Sequence, residues 1–257
     1  MTLRRFSDLS PDDIAWLRGF LSPRPLFRLY LESALADLAA GLDNRWALIG
    51  ERRVGCVLGI EFDSLNVFTA IGKLDESELT AVLSSPEPCE LHLESAHETV
   101  LMSRLAGRLI AGRQLRIYAR PTAGGALDDD ARRLTAADSA RLQGFMRAHN
   151  PRTVISDWMQ ALPFAAVEEE GEIVAAGGTI ARAYDLALLG NFLTRPDRRG
   201  RGLARRLALH LTALLRDDGV QEVLLATTAD NGAACRAYER AGFLLLETRR
   251  QLDLGPA

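Results

Sequence analysis

Cysteine is scarce in this chain of 257 residues, which contains only Cys56, Cys89 and Cys235. Their number is odd, their spacing is scattered and no Cys-x-x-Cys pair occurs, which argues against a disulfide framework and against a zinc site. His92 and His97 also lack the spacing of metal ligands. The sequence therefore predicts that the protein binds no metal.

Long apolar runs are absent as well. No stretch reaches the roughly 18 consecutive apolar residues of a membrane-spanning helix, and the start of the chain lacks the apolar segment of a signal peptide. We therefore predict a soluble, cytoplasmic protein with no membrane partner.

The chain has no strong excess of either charge. Its formal net charge is −3, which excludes a globally basic nucleic-acid binder, and its clustered arginines are not interleaved with aromatic residues. We therefore predict no nucleic-acid partner. Hydrophobic residues make up 47% of the chain and charged residues 25%, and a chain of this length and composition suits two globular domains.

Glycine and arginine are concentrated in residues 195–206, which read Arg-Pro-Asp-Arg-Arg-Gly-Arg-Gly-Leu-Ala-Arg-Arg. This segment follows an apolar, strand-like run that ends at Leu193, and it opens into a helical pattern that begins at Leu203. Gly200 and Gly202 allow a tight turn in which successive N–H groups converge at a helix start and bind an anion. Five arginines add donors that suit phosphate, at positions 198, 199, 201, 205 and 206. The segment therefore predicts a pyrophosphate-binding loop.

Two other phosphate-binding patterns are excluded. A P-loop requires Gly-Lys followed by Ser or Thr, and that tripeptide occurs nowhere in the chain. A dinucleotide-binding fingerprint requires a third glycine and an acidic residue after the next strand, and neither is in place here.

Two motifs in the second half resemble one known family. Residues 199–204 resemble the Arg/Gln-x-x-Gly-x-Gly/Ala signature of the Gcn5-related N-acetyltransferase (GNAT) superfamily. After one further strand-like segment, residues 231–243 resemble its second signature, in which Asn, then Ala, then Tyr-Glu-x-x-Gly-Phe mark a short helix and the start of a strand. The resemblance covers residues 130–254, which is about half of the chain.

The resemblance implies a cosubstrate and a set of site residues. Acetyl-coenzyme A would be bound by its pyrophosphate at the loop amides and by its pantetheine arm along the strand before the loop. Asn231 would form a hydrogen bond near the pantetheine arm, and Tyr238 would be the general acid that protonates the leaving thiolate. The remaining residues expected to bind the coenzyme are Phe192, Leu193, Thr194, Arg199, Gly200, Arg201, Gly202, Leu203 and Ala204.

The first half resembles a degenerate copy of the second. Residues 3–7 match 131–135, residues 17–21 match 142–146, and both halves contain a pattern of two apolar strands joined by a charged turn, at 46–62 and 164–180. At the place of the phosphate loop, however, the first half has one glycine and three acids, Asp75, Glu76 and Glu78. Because these acids would repel pyrophosphate, we expect no coenzyme there.

These patterns predict an α/β (α+β) fold with tandem GNAT-like domains, each a mixed, mostly antiparallel sheet flanked by helices. Residues 1–120 form the degenerate domain, residues 121–130 a linker rich in Pro, Gly and Asp, and residues 131–257 the catalytic domain. Within the first half, we also expect a strand at 90–94, a helix at 98–109 and a strand at 114–118.

The predicted activity is the direct transfer of an acetyl group from acetyl-coenzyme A to a primary amine. The acceptor class stays open among small amines, amino acids, antibiotics and protein N-termini, and the sequence does not predict an oligomeric state. The general base also stays open, because the strand before the loop carries no carboxylate. The candidates for this role are Asp185, Glu168, Glu170, Glu172, His149 and His210. A non-catalytic coenzyme A sensor or interaction protein is the alternative function.

Overall fold

The structure is a computed structural model, and it describes residues 2–62, 65–83, 86–105, 107–124, 127–150 and 162–256. Trp158 and Met159, which the sequence leaves unassigned, lie outside the described residues. The chain forms two compact units. Unit 1 comprises Met1–Arg116, Thr228–Asp230 and Glu247–Ala257, and unit 2 comprises Ile117–Thr227 and Asn231–Leu246.

Unit 1 begins with a short strand and two helices. The elements that lie wholly within it are β1 (Arg4–Arg5), α1 (Pro11–Leu21), α2 (Pro25–Ala39), β2 (Arg45–Ile49), β3 (Gly55–Phe62), β4 (Leu65–Gly72), α3 (Glu76–Val82), β5 (Cys89–Leu93) and α4 (Ser95–Leu101). Strands β1 to β4 pair antiparallel in sequence order, whereas β4 and β5 are parallel. Helix α1 begins with a capping box, in which Ser10 and Asp13 cap each other's backbone N–H groups, and Pro11 occupies the first turn.

Two long strands have residues in both units. Strand β6 (Leu109–Pro121) begins in unit 1 and ends in unit 2, and β12 (Leu244–Leu254) begins in unit 2 and ends in unit 1. Within unit 1, Arg250–Leu254 of β12 pair antiparallel with β5.

In its described residues, unit 2 follows the order of elements of unit 1, except that one helix instead of two lies between the first two strands. Its elements are β7 (Ala131–Arg133), α5 (Ser139–His149), β8 (Phe164–Glu169), β9 (Glu172–Ala183), β10 (Leu186–Thr194), α6 (Leu203–Asp217), β11 (Glu222–Thr228) and α7 (Gly232–Arg240), with the last residue of β11 counted in unit 1. Strands β7 to β10 pair antiparallel, and β10 and β11 are parallel.

Helix α6 packs on the sheet of unit 2 through a leucine stripe. Leu203, Leu207, Leu211 and Leu215 recur every fourth residue, so they share one helix face, and all four are buried. The helix contacts β8, β9 and β10. This packing fixes the start of α6 at the end of the loop that follows β10.

The predicted fold class is confirmed, since the described pairs are mostly antiparallel and helices flank them. The helix predicted at 98–109 is wrong in its second half, because α4 ends at Leu101 and the chain is already in β6 at Leu109. Between them Gly107 takes a φ of +91°, which interrupts a helix. Apolar spacing alone does not distinguish such a segment from a helix.

The compact units differ from the predicted domain division. Strand β6 extends to Pro121, and the buried Thr122 donates a hydrogen bond from its hydroxyl to the Val220 carbonyl at 2.7 Å. The predicted linker therefore begins with residues that belong to unit 2. At the other end, Glu247–Ala257 belong to unit 1 because β12 pairs with β5.

Candidate functional site

Strands β10 and β11 separate where the predicted coenzyme-binding strand segment begins. Their registered pairs run from Leu186 with Glu222 to Leu189 with Leu225, although the strands continue to Thr194 and Thr228. Beyond Leu189 the β11-facing edge of β10 therefore has no registered strand partner within the described chain. This edge offers backbone donors and acceptors to an extended ligand.

A β-bulge lies in the same segment of β10. On the β9 side, Gly190 pairs with Gly178 and Leu193 pairs with Ala176, so Asn191 and Phe192 both oppose Gly177. Asn191 takes a left-handed φ of +54°. The bulge changes the direction in which the backbone groups of β10 point, and bulges of this kind are common beside active sites.

Phe192 requires a glycine opposite it. A Cβ added to Gly177 would lie 2.6 Å from the Phe192 ring, a separation that real side chains do not tolerate. Gly177 therefore leaves room for the Phe192 ring, which contacts Tyr238 with ring centroids 5.6 Å apart at an interplanar angle of 61°. The bulged strand and the predicted general acid are thus in contact.

The loop after β10 leads to an uncapped helix start. Gly202 is the N-cap of α6, has a φ of +75° and has no side chain to accept from the first turn. The first helical hydrogen bond runs from the Arg206 N–H to the Gly202 carbonyl at 3.1 Å. Among the described residues, the N–H groups of Leu203, Ala204 and Arg205 have no acceptor. These donors, at the positive end of the helix dipole, are a candidate anion site.

The space in front of these donors is open. A Cβ added to Gly200 or Gly202 would meet nothing within 4 Å, and Gly200 also has a positive φ, of +79°. The residues on either side, Arg199 and Arg201, are exposed. An anionic group can therefore approach the backbone of the loop closely.

Three of the five arginines of the loop region form ion pairs with carboxylates of the protein. Arg198 binds Glu169 at 2.6 Å, and Arg201 lies 3.5 Å from the same carboxylate. Arg206 donates two hydrogen bonds of 2.7 Å to Asp128. These three guanidinium groups already have acidic partners within the protein.

Two of the five arginines are paired only with backbone carbonyls. Arg199 donates through Nε to the Thr194 carbonyl at 3.3 Å, and Arg205 donates through Nε to the Arg240 carbonyl at 3.1 Å. Their positive charges have no carboxylate partner among the described residues. Arg199 and Arg205 are therefore the guanidinium groups that can add charge to the anion site.

Tyr238 is buried among aromatic rings. The residue is 4% exposed and packs edge-on against Tyr118, Phe192 and Phe243. Burial of the side chain raises the pKa of Tyr238 above its usual value.

Asn231 has a structural role at the start of α7. It is the N-cap of this helix, and its Oδ1 accepts from the Ala234 N–H at 3.2 Å. The residue is exposed, so its side-chain amide nitrogen can still donate to a ligand. The predicted contact of Asn231 with the coenzyme stays a prediction.

The corresponding helix start in unit 1 is closed by the protein's own carboxylates. Asp75 caps α3 by accepting from the Glu78 N–H at 3.0 Å, and Glu78 accepts from the Asp75 N–H at 2.8 Å. The second oxygen of Glu78 accepts from the Glu51 N–H at 2.8 Å. Among the described residues, the N–H group of the third residue of α3, Glu78, therefore has a side-chain acceptor, whereas that of the third residue of α6, Arg205, has none. For this place the sequence had suggested only repulsion.

The end of the parallel strand pair in unit 1 is also filled. Registered pairs of β4 and β5 end at Thr69 and His92. Just beyond them, the 3% exposed Arg249 donates to the Ala70 carbonyl and stacks over Phe27, with its guanidinium carbon 4.8 Å from the ring centroid. The role of Arg249 had no signal in the sequence, because β12 is remote from β4 along the chain.

Two candidates for the general base are engaged elsewhere. Glu168 lies 2.7 Å from Arg132 and 3.2 Å from Arg141. His210 is buried on the packing side of α6, where its Nδ1 accepts from the Asp128 N–H at 3.1 Å and burial lowers its pKa. Neither arrangement leaves a base free to act at the site, so the general base stays unassigned.

Two further searches bear on binding partners. In the part of the chain that the structure describes, no group of three or more His, Cys, Asp or Glu side chains is arranged to hold a metal ion. None of the helices in that part combines the length and apolar composition needed to cross a membrane.

Comparison with known proteins points to one family. Residues 127–243 match the sequence model of the acetyltransferase (GNAT) family. Mycothiol acetyltransferase of Streptomyces coelicolor is 33% identical over 95 residues, which cover 35% of this chain and 30% of that protein. The uncharacterized N-acetyltransferase YjgM of Escherichia coli is 38% identical over 80 residues, or 30% of this chain and 48% of that protein. The chain thus spans less than half the length of these relatives.

A solved structure shows the same fold across most of the chain. A putative acetyltransferase from the GNAT family of Novosphingobium aromaticivorans superimposes with a TM-score of 0.61 at 22% identity, covering 91% of this chain and 97% of that one. The matched region 127–243 contains the bulged strand, the open helix start and Tyr238. Residues 127–243 of this chain therefore form a domain of the acetyltransferase (GNAT) family.

Proposed function

We propose that the protein is an N-acetyltransferase that moves an acetyl group directly from acetyl-coenzyme A to a primary amine. The observation that carries the proposal is the open helix start of α6, which follows a bulged strand in contact with Tyr238. The family supports acetyl transfer, whereas the donor, the acceptor and the role of Tyr238 are our proposals.

The described residues fit acetyl-coenzyme A at its charged end. Its pyrophosphate needs several converging donors and little steric bulk, and the loop offers unpaired N–H groups beside two glycines. Arg199 and Arg205 add positive charge that is not neutralised by a carboxylate of the described residues. We assign pyrophosphate binding to the backbone of Arg199, Gly200, Arg201, Gly202, Leu203 and Ala204.

The strand before the loop fits the extended arm of the coenzyme. The part of β10 beyond its registered pairs with β11 contains Phe192, Leu193 and Thr194. The backbone of these residues can bind the pantetheine amides as a neighbouring strand would. Asn231, at the start of α7, would donate to the same arm. When bound, the coenzyme supplies an activated thioester to the site.

Tyr238 is suited to hold and release the proton that the leaving sulfur needs. Its raised pKa keeps the phenol protonated at neutral pH, so the hydroxyl has a proton to donate. The rings of Tyr118, Phe192 and Phe243 hold the tyrosine in place and exclude water from its faces. A positioned general acid contributes about 10²- to 10⁴-fold to a rate.

The proposal is tested by thiol release. Purified protein is mixed with acetyl-coenzyme A and a panel of primary amines that includes amino acids, aminoglycosides, polyamines and peptides with free N-termini, and free thiol is followed with time. We expect at least one amine to accelerate thiol release and to gain an acetyl group by mass spectrometry. Coenzyme binding without turnover on any amine would instead identify a coenzyme A sensor.

A pair of variants tests the assigned acid. Tyr238→Phe removes only the hydroxyl, and Tyr184→Phe is a matched control because Tyr184 is 77% exposed. We expect the first to slow transfer and the second to leave it unchanged. Equal rates in the two variants would remove Tyr238 from the mechanism.

A further inference from the structure

Tyr118 is a buried tyrosine that the family pattern does not include. It lies on β6, nine residues before the matched region begins at residue 127. Its ring is fully buried and meets the Tyr238 ring edge-on, with centroids 6.4 Å apart at an interplanar angle of 65°. The proposed general acid is therefore packed against a second phenol from another element.

The hydroxyl group of Tyr118 is tied to the helix that carries Tyr238. It donates to Oε1 of Glu239 at 3.2 Å, and Glu239 directly follows Tyr238 on α7. Of the three rings around Tyr238, only that of Tyr118 carries a hydroxyl group, because the other two belong to Phe192 and Phe243. A hydrogen bond to a carboxylate is stronger than one between neutral groups, so it fixes both the ring and the helix.

This arrangement constrains the direction in which Tyr238 points. A tyrosine side chain can rotate about two bonds, and rings on several sides limit that rotation. The Tyr118 ring blocks one side, and its bond to Glu239 prevents the ring from moving away without breaking a charged hydrogen bond. Small displacements of a reacting group lower a rate strongly, whereas they need not alter the binding of a remote pyrophosphate.

We propose that Tyr118 is a positioning residue that, through Glu239 and its own ring, holds the Tyr238 hydroxyl in its productive orientation. The inference rests on the proposed function and adds to it a residue outside the family match. It also gives β6, which begins in the first half of the chain, a direct part in the chemistry of the second.

The first test is a double-mutant cycle on full-length protein with the most active amine of the panel. Tyr118→Phe should lower kcat about fivefold, with unchanged KM for acetyl-coenzyme A and unchanged affinity for coenzyme A. In a Tyr238→Phe background the same change should have no further effect, because there is no hydroxyl left to position. Glu239→Ala should match Tyr118→Phe, and Tyr184→Phe is the control.

The outcomes separate this inference from the proposed function. If Tyr238→Phe leaves kcat unchanged, the role of Tyr238 as general acid fails. If Tyr238→Phe slows transfer but Tyr118→Phe slows both backgrounds by the same factor, Tyr118 is merely structural and the positioning role alone is overturned. An unchanged kcat in Tyr118→Phe overturns it as well.

A second measurement needs no acceptor. The protein is labelled with 3-fluorotyrosine, and the ¹⁹F signals of its four tyrosines are assigned from single Tyr→Phe variants. We expect coenzyme A to shift the Tyr238 signal, and we expect Glu239→Ala to alter that signal and its response to coenzyme A. A Tyr238 signal identical in Glu239→Ala and in the parent protein overturns the inference.

Discussion

The substitution Gly202→Glu tests the anion site most sharply when it is compared with Gly202→Ala. A Cβ at this position meets nothing within 4 Å, so the Cβ of neither variant collides with the fold. Both variants must hold a non-glycine residue at a φ of +75°, which costs about 1 kcal/mol. This shared cost cancels in the comparison, and the difference between the variants reports the added carboxylate.

The carboxylate has two effects on the bound pyrophosphate. It competes for the N–H groups of Leu203, Ala204 and Arg205, which have no acceptor among the described residues, and it repels the phosphate charges. Two unit charges at about 4 Å repel by about 1 kcal/mol in water and about 4 kcal/mol at an effective dielectric constant of 20. A loss of about 2–4 kcal/mol corresponds to a roughly 30- to 700-fold weaker affinity.

Isothermal titration with coenzyme A measures this difference. We expect Gly202→Ala to bind within about threefold to tenfold of the parent, given its strain of about 1 kcal/mol, and Gly202→Glu to bind at least thirtyfold more weakly than Gly202→Ala. Thermal unfolding of both variants shows whether they fold alike. Similar affinities in the two variants would refute the assignment of the pyrophosphate to this loop.

Three further predictions concern the contact of Tyr238 with the bulged strand. Tyr238→Phe should lower kcat by about 10²-fold or more and leave the affinity for coenzyme A unchanged, and a weakened affinity in titration would contradict a purely catalytic role. Burial raises the pKa of Tyr238, and the general acid must be protonated, so ionisation of Tyr238 should not lower kcat between about pH 8 and pH 10. A fall in kcat centred near pH 9 that is absent from Tyr238→Phe would contradict this. Gly177→Ala places a Cβ 2.6 Å from the Phe192 ring, so it should destabilise the fold by about 1–3 kcal/mol and lower kcat; unchanged melting and turnover would show that Phe192 moves freely.

Local patterns in the sequence predict much of the fold. The capping pair of Ser10 and Asp13, the leucine stripe of α6 and the glycines of the loop each depend on residues within a few positions of one another. Their structures follow from short-range geometry, so the sequence alone is sufficient to predict them. The two motifs at 199–204 and 231–243 belong to this class, and their match to the family is confirmed.

Long-range pairing explains what the sequence does not reveal. Arg206 and Asp128 are 78 residues apart, and Tyr118 and Glu239 are 121 residues apart. Only the strand order brings such pairs together, and many arginines and acids compete for each partner. The sequence therefore does not reveal which of the five arginines are paired with carboxylates.

The first half of the chain also contains contacts that the sequence does not reveal. Its acids at the place of the loop predict repulsion, but the structure shows a helix start already satisfied by Asp75 and Glu78. The side chain of Arg249, from the last strand, occupies the end of the parallel pair. Whether the helix start and the end of the parallel strand pair are filled depends on side-chain contacts, and single-sequence patterns carry no information about these contacts.

Native mass spectrometry of the full-length protein with acetyl-coenzyme A tests the central claim most directly, because it counts bound molecules per chain. Because the helix start of α6 is open and that of α3 is closed, we expect a single bound molecule per chain in the parent protein. We expect none in Gly202→Glu at the same concentration. Two bound molecules per chain, or one that persists in Gly202→Glu, would contradict it.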